Sequence, residues 1–217
     1  MTDPATLHLV TQSDCCDAWT VAVLGLRDRK KEKTRDALVE SALRQFAERG
    51  FERVTVDDIA SDCELSPRTF FRYFASKEDV LFAGSDDHVS HVIARLAAQP
   101  SDVPVLVALR VAVREIADRY QGEARAVQQR HKIFAATPSL RGRVAERHHR
   151  WESAAIAELR RSGRAATMDE LTMRLTVATV TTVFRVATEV WIDGRCRGDL
   201  GEYFDAAFEQ VRAGLRN

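Results

Sequence analysis

Glycine, proline and cysteine are scarce in this chain. Its 217 residues hold 10 Gly, 5 Pro and 4 Cys. So few backbone breakers leave room for long helices and argue against many short strands and tight turns. No stretch alternates apolar and polar residues in the manner of a half-buried strand. The cysteines are Cys15, Cys16, Cys63 and Cys196, with no C-x-x-C pair. That spacing does not suit a zinc or dithiol site, and a reduced, cytoplasmic protein is expected. Net charge is missing too: 32 Lys and Arg balance 32 Asp and Glu, so attraction to a polyanion must come from local distribution. No apolar run reaches membrane-spanning length, so no membrane partner is expected. "AWTVAVLGL" (18–26) is short and has its basic cluster behind it, the reverse of a secretory signal. No H-E-x-x-H, phosphate loop, dinucleotide fingerprint or nucleophile elbow occurs. The expectation is therefore a protein that is not an enzyme and uses no cofactor or metal.

What is present is helix upon helix, giving an all-α fold. Residues 1–25 have no clear period and read as a loosely ordered tail. From Arg27 to Arg35 six basic residues face only Asp28 and Glu32, a surplus of four. "TRDALVESALRQFAERGF" (34–51) repeats Ala37, Leu38, Ala42, Phe46 and Ala47 at helical spacing and ends at Gly50. A second helix follows within 55–65, with Thr55 as N-cap and Asp57 and Asp58 in its first turn. Further helices are predicted over 66–74, 76–98, 104–120, 123–136, 139–162, 169–193 and 200–215.

Helix 66–74 packs four aromatics into the five positions from Phe70 to Phe74, with arginine threaded among them. Ser66 is its N-cap and Pro67 its first residue, where a missing N–H costs nothing. At about 100° per residue, Phe70 and Phe74 share one side, Arg68 and Arg72 the other, and Tyr73 the boundary. Between Ser66 and Lys77 three cations meet no acid. A short helix, a turn and a second short helix with a cationic outer face describe a helix-turn-helix reader of DNA. Arginine can hold guanine O6 and N7, threonine can touch a thymine methyl, and Tyr73 and Lys77 are placed to hold phosphates. A helical acyl- or metal-binding protein with an incidental basic face is the alternative.

The features F-A-x-x-G-F, T-V-D-D-I-A and S-P-R-T-F-F-R-Y-F-x-S-K-E-D, spread over residues 31–82, closely resemble the DNA-binding domain of the tetracycline-repressor (TetR) family of bacterial regulators. The resemblance implies base contacts from Ser66, Pro67, Arg68 and Arg72 and phosphate contacts from Thr55, Thr69, Tyr73 and Lys77. Phe71 departs from the tyrosine common at its position and offers only apolar contact. The implied organisation is a three-helix DNA-binding domain over 26–82 and a larger helical ligand-binding and dimerisation domain over 83–217. The implied function is a ligand-released repressor that binds near-palindromic, double-stranded operator DNA as a homodimer.

In helix 169–193, Met173, Val177, Val180, Phe184, Ala187 and Trp191 form one apolar stripe, with Leu171, Leu175, Ala178 and Thr182 beside it. Helix 200–215 adds Phe204, Phe208, Val211 and Leu215. A helix apolar over so much of its circumference is buried on more than one side. One stripe could pack on its own domain and the other on a partner. The family resemblance implies a four-helix dimer interface, where Val177, Val180, Phe184, Trp191, Phe204, Phe208 and Val211 are expected, and an internal core helix of a monomer is the alternative. Arg185 interrupts the apolar helix, either to pair with Glu189 one turn on or to counter an anionic ligand. "FAATPSLRGRVAERHHRWE" (134–152) resembles regulators related to the mycofactocin-system regulator, which implies a long-chain acyl-coenzyme A or similar effector. Phe134, Trp151 and Phe184 would be wall residues of its pocket, and Arg130 and Arg147 mouth residues. His88 and His91, at i,i+3, keep a metal-sensing variant open.

Overall fold

The computed structural model describes residues 13–214, with side chains from 25 onward except at 26, 85 and 86. Within these residues the regular structure is helical and no strand occurs, as an all-α fold requires. The α-helices are α1 Ser13–Arg49, α2 Val56–Asp62, α3 Pro67–Phe70, α4 Lys77–Leu81, α5 Ser85–Ala98, α6 Val105–Gly122, α7 Ala124–Ala136, α8 Arg141–Arg161, α9 Glu170–Asp193 and α10 Leu200–Arg212. Single 3-10 turns occupy Phe51–Arg53 and Pro138–Leu140. Helix α1 begins at Ser13, inside the stretch expected as a tail; residues 1–12 and 215–217, Leu215 among them, lie outside the described part.

Two elements differ from the predicted helices. The α-helical part of 66–74 stops at Phe70, and the Arg72 and Tyr73 amides donate to carbonyls three residues back, Thr69 and Phe70. That is the tighter winding common at a helix end. The predicted helix 76–98 is broken: α4 ends at Leu81, and Gly84 takes a left-handed conformation, φ 84° and ψ −17°, before α5 begins. Such a conformation is costly for any residue with a Cβ, so a glycine here sets a joint rather than merely tolerating one.

Two main cores result. Leu38, Ala42 and Phe46 of α1 meet Ile59, Phe70, Phe74, Val80 and Leu81 in the N-terminal core. Full burial of a ring such as Phe70 contributes about 1.5–3 kcal/mol, which keeps the four-residue α3 docked. Polar bonds align α2: Gln45 Nε2 donates to the Asp58 carbonyl at 3.2 Å, and Arg44 pairs with Asp62. Ile133 of α7 and Leu140 join this same core, so α7 bridges the N-terminal helices and the rest.

The larger core is built by α5, α6, α8, α9 and α10. It overturns most of the expected dimer face. Val177, Val180, Trp191 and Phe204 are wholly buried and Phe208 nearly so, all within their own protomer. Phe184 is partly buried against the same core. The reason is that α10 packs on α9 and α6, so the regular stripe faces inward. Left outside are Leu171 (68% exposed), Leu175 (57%), Val190 (50%), Val186 and, of the expected set, Val211. By length and composition α9 could cross a membrane, contrary to the sequence reading. Its buried stripe instead makes it a core helix.

Ion pairs stitch α6 to α10: Arg110 donates to Asp205 at 2.8 Å and to Glu209 at 3.0 Å. Arg114 reaches Asp199 across Gly201, where a Cβ would sit 1.6 Å from the guanidinium carbon. Only glycine permits that approach.

Candidate DNA-binding face and ligand cavity

The N-cap hydroxyl of Ser66 accepts from the Thr69 amide at 3.2 Å and shares a 3.0 Å hydrogen bond with the Thr69 hydroxyl. These bonds start α3 and turn Arg68 and Arg72 to the surface, where both are exposed. Phe71 lies edge-on to Phe70, ring centroids 5.6 Å apart, yet 55% of it is exposed. A phenyl ring in water between two arginines is not a core residue. Tyr73 is half-buried, with the Arg72 guanidinium 5.8 Å from its ring centre.

Two expected phosphate contacts have other employment. Thr55 closes a capping box: its hydroxyl accepts from the Asp58 amide at 3.1 Å and donates to the Asp58 carboxylate at 2.7 Å. No O–H is then left for a phosphate. The Thr55 amide and hydroxyl, with Arg49, hold the Asp58 pKa down from 3.8 to about 2. Lys77 Nζ donates to the carbonyls of Phe51 at 2.9 Å and Val54 at 3.0 Å, and lies 4.4 Å from the centre of the Phe51 ring.

A cavity of about 610 Å³ opens where the α4–α5 joint, α6, α7, α8 and α9 converge. It gathers all six residues expected to line a pocket: Arg130, Phe134, Arg147, Trp151, Phe184 and Arg185. Phe134 stacks on Phe82 at 5.3 Å, and Arg147 lies 4.7 Å from the Phe82 ring centre. Tyr120 bridges His88 and Phe184, with centroids 5.2 and 5.4 Å away. Arg185 pairs with Glu189 at 2.9 Å, the local option of the two foreseen. The Nε of Arg130, expected at the mouth, is buried, whereas Arg141 and His148 are exposed.

Sequence reasoning missed His88, Tyr120, Arg141 and His148 as cavity residues. Lining residues come from six helices, so no local motif marks them. The i,i+3 spacing of His88 and His91 was visible, but the two part company. His91 Nε2 meets Glu115 at 2.6 Å, while burial pushes the His88 pKa down. Among the described residues no three His, Cys, Asp or Glu gather as metal ligands. A second cleft of about 580 Å³ lies against α1 and the Gly84 joint, and Arg130 borders both spaces.

A helix-turn-helix unit with a basic outer face, joined to a helical domain with an internal cavity, defines a ligand-responsive transcriptional regulator. Residues 38–83 match the model for bacterial regulatory proteins of the tetR family, and 103–216 match the MftR C-terminal domain. The regulator TcmR of Streptomyces glaucescens is 32% identical over 198 residues, 88% of this chain and 87% of the relative. MftR of Mycobacterium tuberculosis is 29% identical over 188 residues, covering 86% and 93%. The chain belongs to the TetR family of transcriptional regulators, DNA-binding proteins of the cytoplasm rather than enzymes, and is linked to its MftR subgroup. The fold also resembles the solved FadR structures of Bacillus halodurans (TM-score 0.60, 18% identity, 85% of this chain and 97% of that one) and Thermus thermophilus (0.56, 19%, 84% and 95%).

Proposed function

We propose that the chain acts as a homodimeric repressor whose two α3 helices enter successive major grooves of a near-palindromic operator, about 34 Å apart, and which an acyl-coenzyme A thioester releases. For DNA, the carrying observation is the outward presentation of Arg68, Phe71 and Arg72 on a helix anchored by Phe70 and Phe74. Thr69, Tyr73 and the remaining N–H of Lys77 flank that face and suit phosphates. Ser66 and Pro67 fix its leading edge.

For the effector, the cavity volume falls within the roughly 300–1,000 Å³ of small-molecule sites. Phe134, Trp151 and Phe184 offer apolar wall, while Arg141, Arg147 and Arg185 offer cations for an anionic head. Two relatives of the fold are described as FadR complexes, one with lauroyl-CoA and one with stearoyl-CoA, in keeping with this class. Binding would act through α7, which carries Arg130 and Phe134 into the cavity and Ile133 into the N-terminal core. Ligand and DNA then favour different placements of the reader.

The test is a gel shift on the DNA upstream of the protein's own coding sequence, with palmitoyl-CoA added to the formed complex. A retarded band that disappears with palmitoyl-CoA is expected. No retarded band would sink the operator reading, and a band unmoved by saturating palmitoyl-CoA would sink the effector class.

A further inference from the structure

Helix α1 runs on past the domain it anchors. Its first residue in the N-terminal core is Leu38, whereas every side chain from Arg27 to Lys33 is exposed and joins no core. This stretch holds Arg27, Arg29, Lys30, Lys31 and Lys33 against Asp28 and Glu32. Among the described residues none of these five cations has an ion-pair or hydrogen-bond partner for its charged group. Arginines on other exposed helix faces are paired: Arg160 and Arg174 with Glu170, and Arg212 with Glu209. Here the two acids stand one turn apart on a single side, and the rest of the circumference is cationic. A helix polar on every side gains nothing from burial in its own protomer, and free cations in such number suit a polyanion.

Arg35 shows where that polyanion lies. Its guanidinium is 5.6 Å from the centre of the Phe74 ring, and Phe74 closes the segment that presents Arg68, Phe71 and Arg72. Residues four apart fall nearly on one side of a helix, so Lys31 and Arg27 continue the row that Arg35 begins, each about 6 Å further along the axis. Arg29 and Lys33 make a second row on the opposite side. With the reader in a major groove, the flank beside Phe74 is bordered by the phosphates of the adjoining duplex. We propose that Arg27 and Lys31 grip those flanking phosphates, making the α1 extension a sequence-independent second DNA contact beside the reader. The inference rests on the chain being an operator-binding protein and adds a surface to it. Each neutralised phosphate releases condensed counterions, so the contact adds affinity on any sequence and steepens its fall with salt. Sequence preference stays with α3.

Gel shifts on the full-length protein test the row, with the DNA upstream of its own coding sequence and an unrelated duplex of equal length, across about 50–200 mM salt. Arg27→Gln together with Lys31→Gln should flatten the slope of log affinity against log salt by about 1.8, two contacts at about 0.9 each, on both duplexes. Its deficit against wild type should therefore narrow about twelvefold across that range. Arg29→Gln together with Lys33→Gln, on the opposite side, should change the slope by about 0.5 at most. Both pairs lie outside the cores, so the variants keep the fold.

An unchanged slope in the Arg27 and Lys31 variant overturns the contact, and so does an equal flattening in both variants, which marks diffuse attraction. If the upstream DNA binds no better than the unrelated duplex while the first variant alone flattens both slopes, the contact stands and the operator reading falls. If the upstream DNA is preferred and its slope is untouched, the contact falls and the operator reading stands. Absence of any DNA binding overturns the two together. Co-sedimentation with phosphatidylserine vesicles tests the rival surface. Vesicle binding that the first variant loses, with both DNA slopes unchanged, assigns these cations to a membrane and overturns the DNA contact.

Discussion

An ammonium group has three N–H donors, and at Lys77 two of them are spent on the carbonyls that end the Phe51–Val54 turn. Lys77→Met keeps the stem over the Phe51 ring but strands both carbonyls. It should cost about 2 kcal/mol, read as a lower thermal midpoint. Arg72 is exposed and anchors nothing in the core, so Arg72→Ala should leave the melt unchanged and weaken specific operator binding by about 1–3 kcal/mol. A Lys77→Met protein as stable as wild type would return Lys77 to a role on DNA alone. Asp58 adds a pH signature. Its pKa is about 2 in the fold against 3.8 ordinarily. A depressed carboxylate contributes its stability above the unfolded value and loses it as pH falls through the folded one. Asp58→Asn should therefore be less stable than wild type at pH 6, with the difference closing between about pH 4 and pH 2. A difference independent of pH in acid titration would mean that geometry, not charge, carries the capping box.

At the scale of elements, the Gly84 joint carries the clearest consequence. A Cβ added there meets nothing within 4 Å, so Gly84→Ala is strained by its backbone alone. The expected cost is about 1 kcal/mol, seen as a fall of about 2–4 °C in the melting midpoint. No change would show that the chain can straighten into one continuous α4–α5 helix. This joint was hidden because "LFAGSDDH" still places apolar residues at helical spacing, and a lone glycine does not announce a positive φ. The reader was far more legible: Ser66, Pro67 and the ring spacing are local signals, and local signals decide a short capped helix. Helix α9 lies between these cases. Its two stripes were visible in the sequence, but spacing says only that a face is covered, never by what. The stripe of Val177 and Val180 went to its own core because α6, α8 and α10 arrive from distant sequence to cover it. The cavity was half legible for the same reason: bulky and cationic residues on α7 and α8 stood out, while His88 and Tyr120 gained meaning only when six helices met.

For the whole molecule, the question is what covers the face that remains. Leu171, Leu175, Val186 and Val190 run along one side of α9, with Val211 exposed on α10, the helix packed beside it. An exposed apolar strip of this kind marks an interaction surface, and a two-fold related copy would cover it with the same strip. The two α3 helices could then be held at a spacing fixed by the protein rather than by chance encounter on DNA. Leu175→Glu together with Val190→Glu should place charge in that contact without disturbing the protomer, since both side chains already face water. Analytical ultracentrifugation should find a monomer with the wild-type melt of an isolated fold, and operator affinity should fall steeply because each half-site is then bound alone. Val177→Glu, by contrast, buries a carboxylate in the protomer core and should abolish folding itself. If the double variant stays a dimer, the contact lies elsewhere and the strip serves another partner. If Val177→Glu instead yields a folded monomer, the inward stripe is the true interface and α9 sits the other way round.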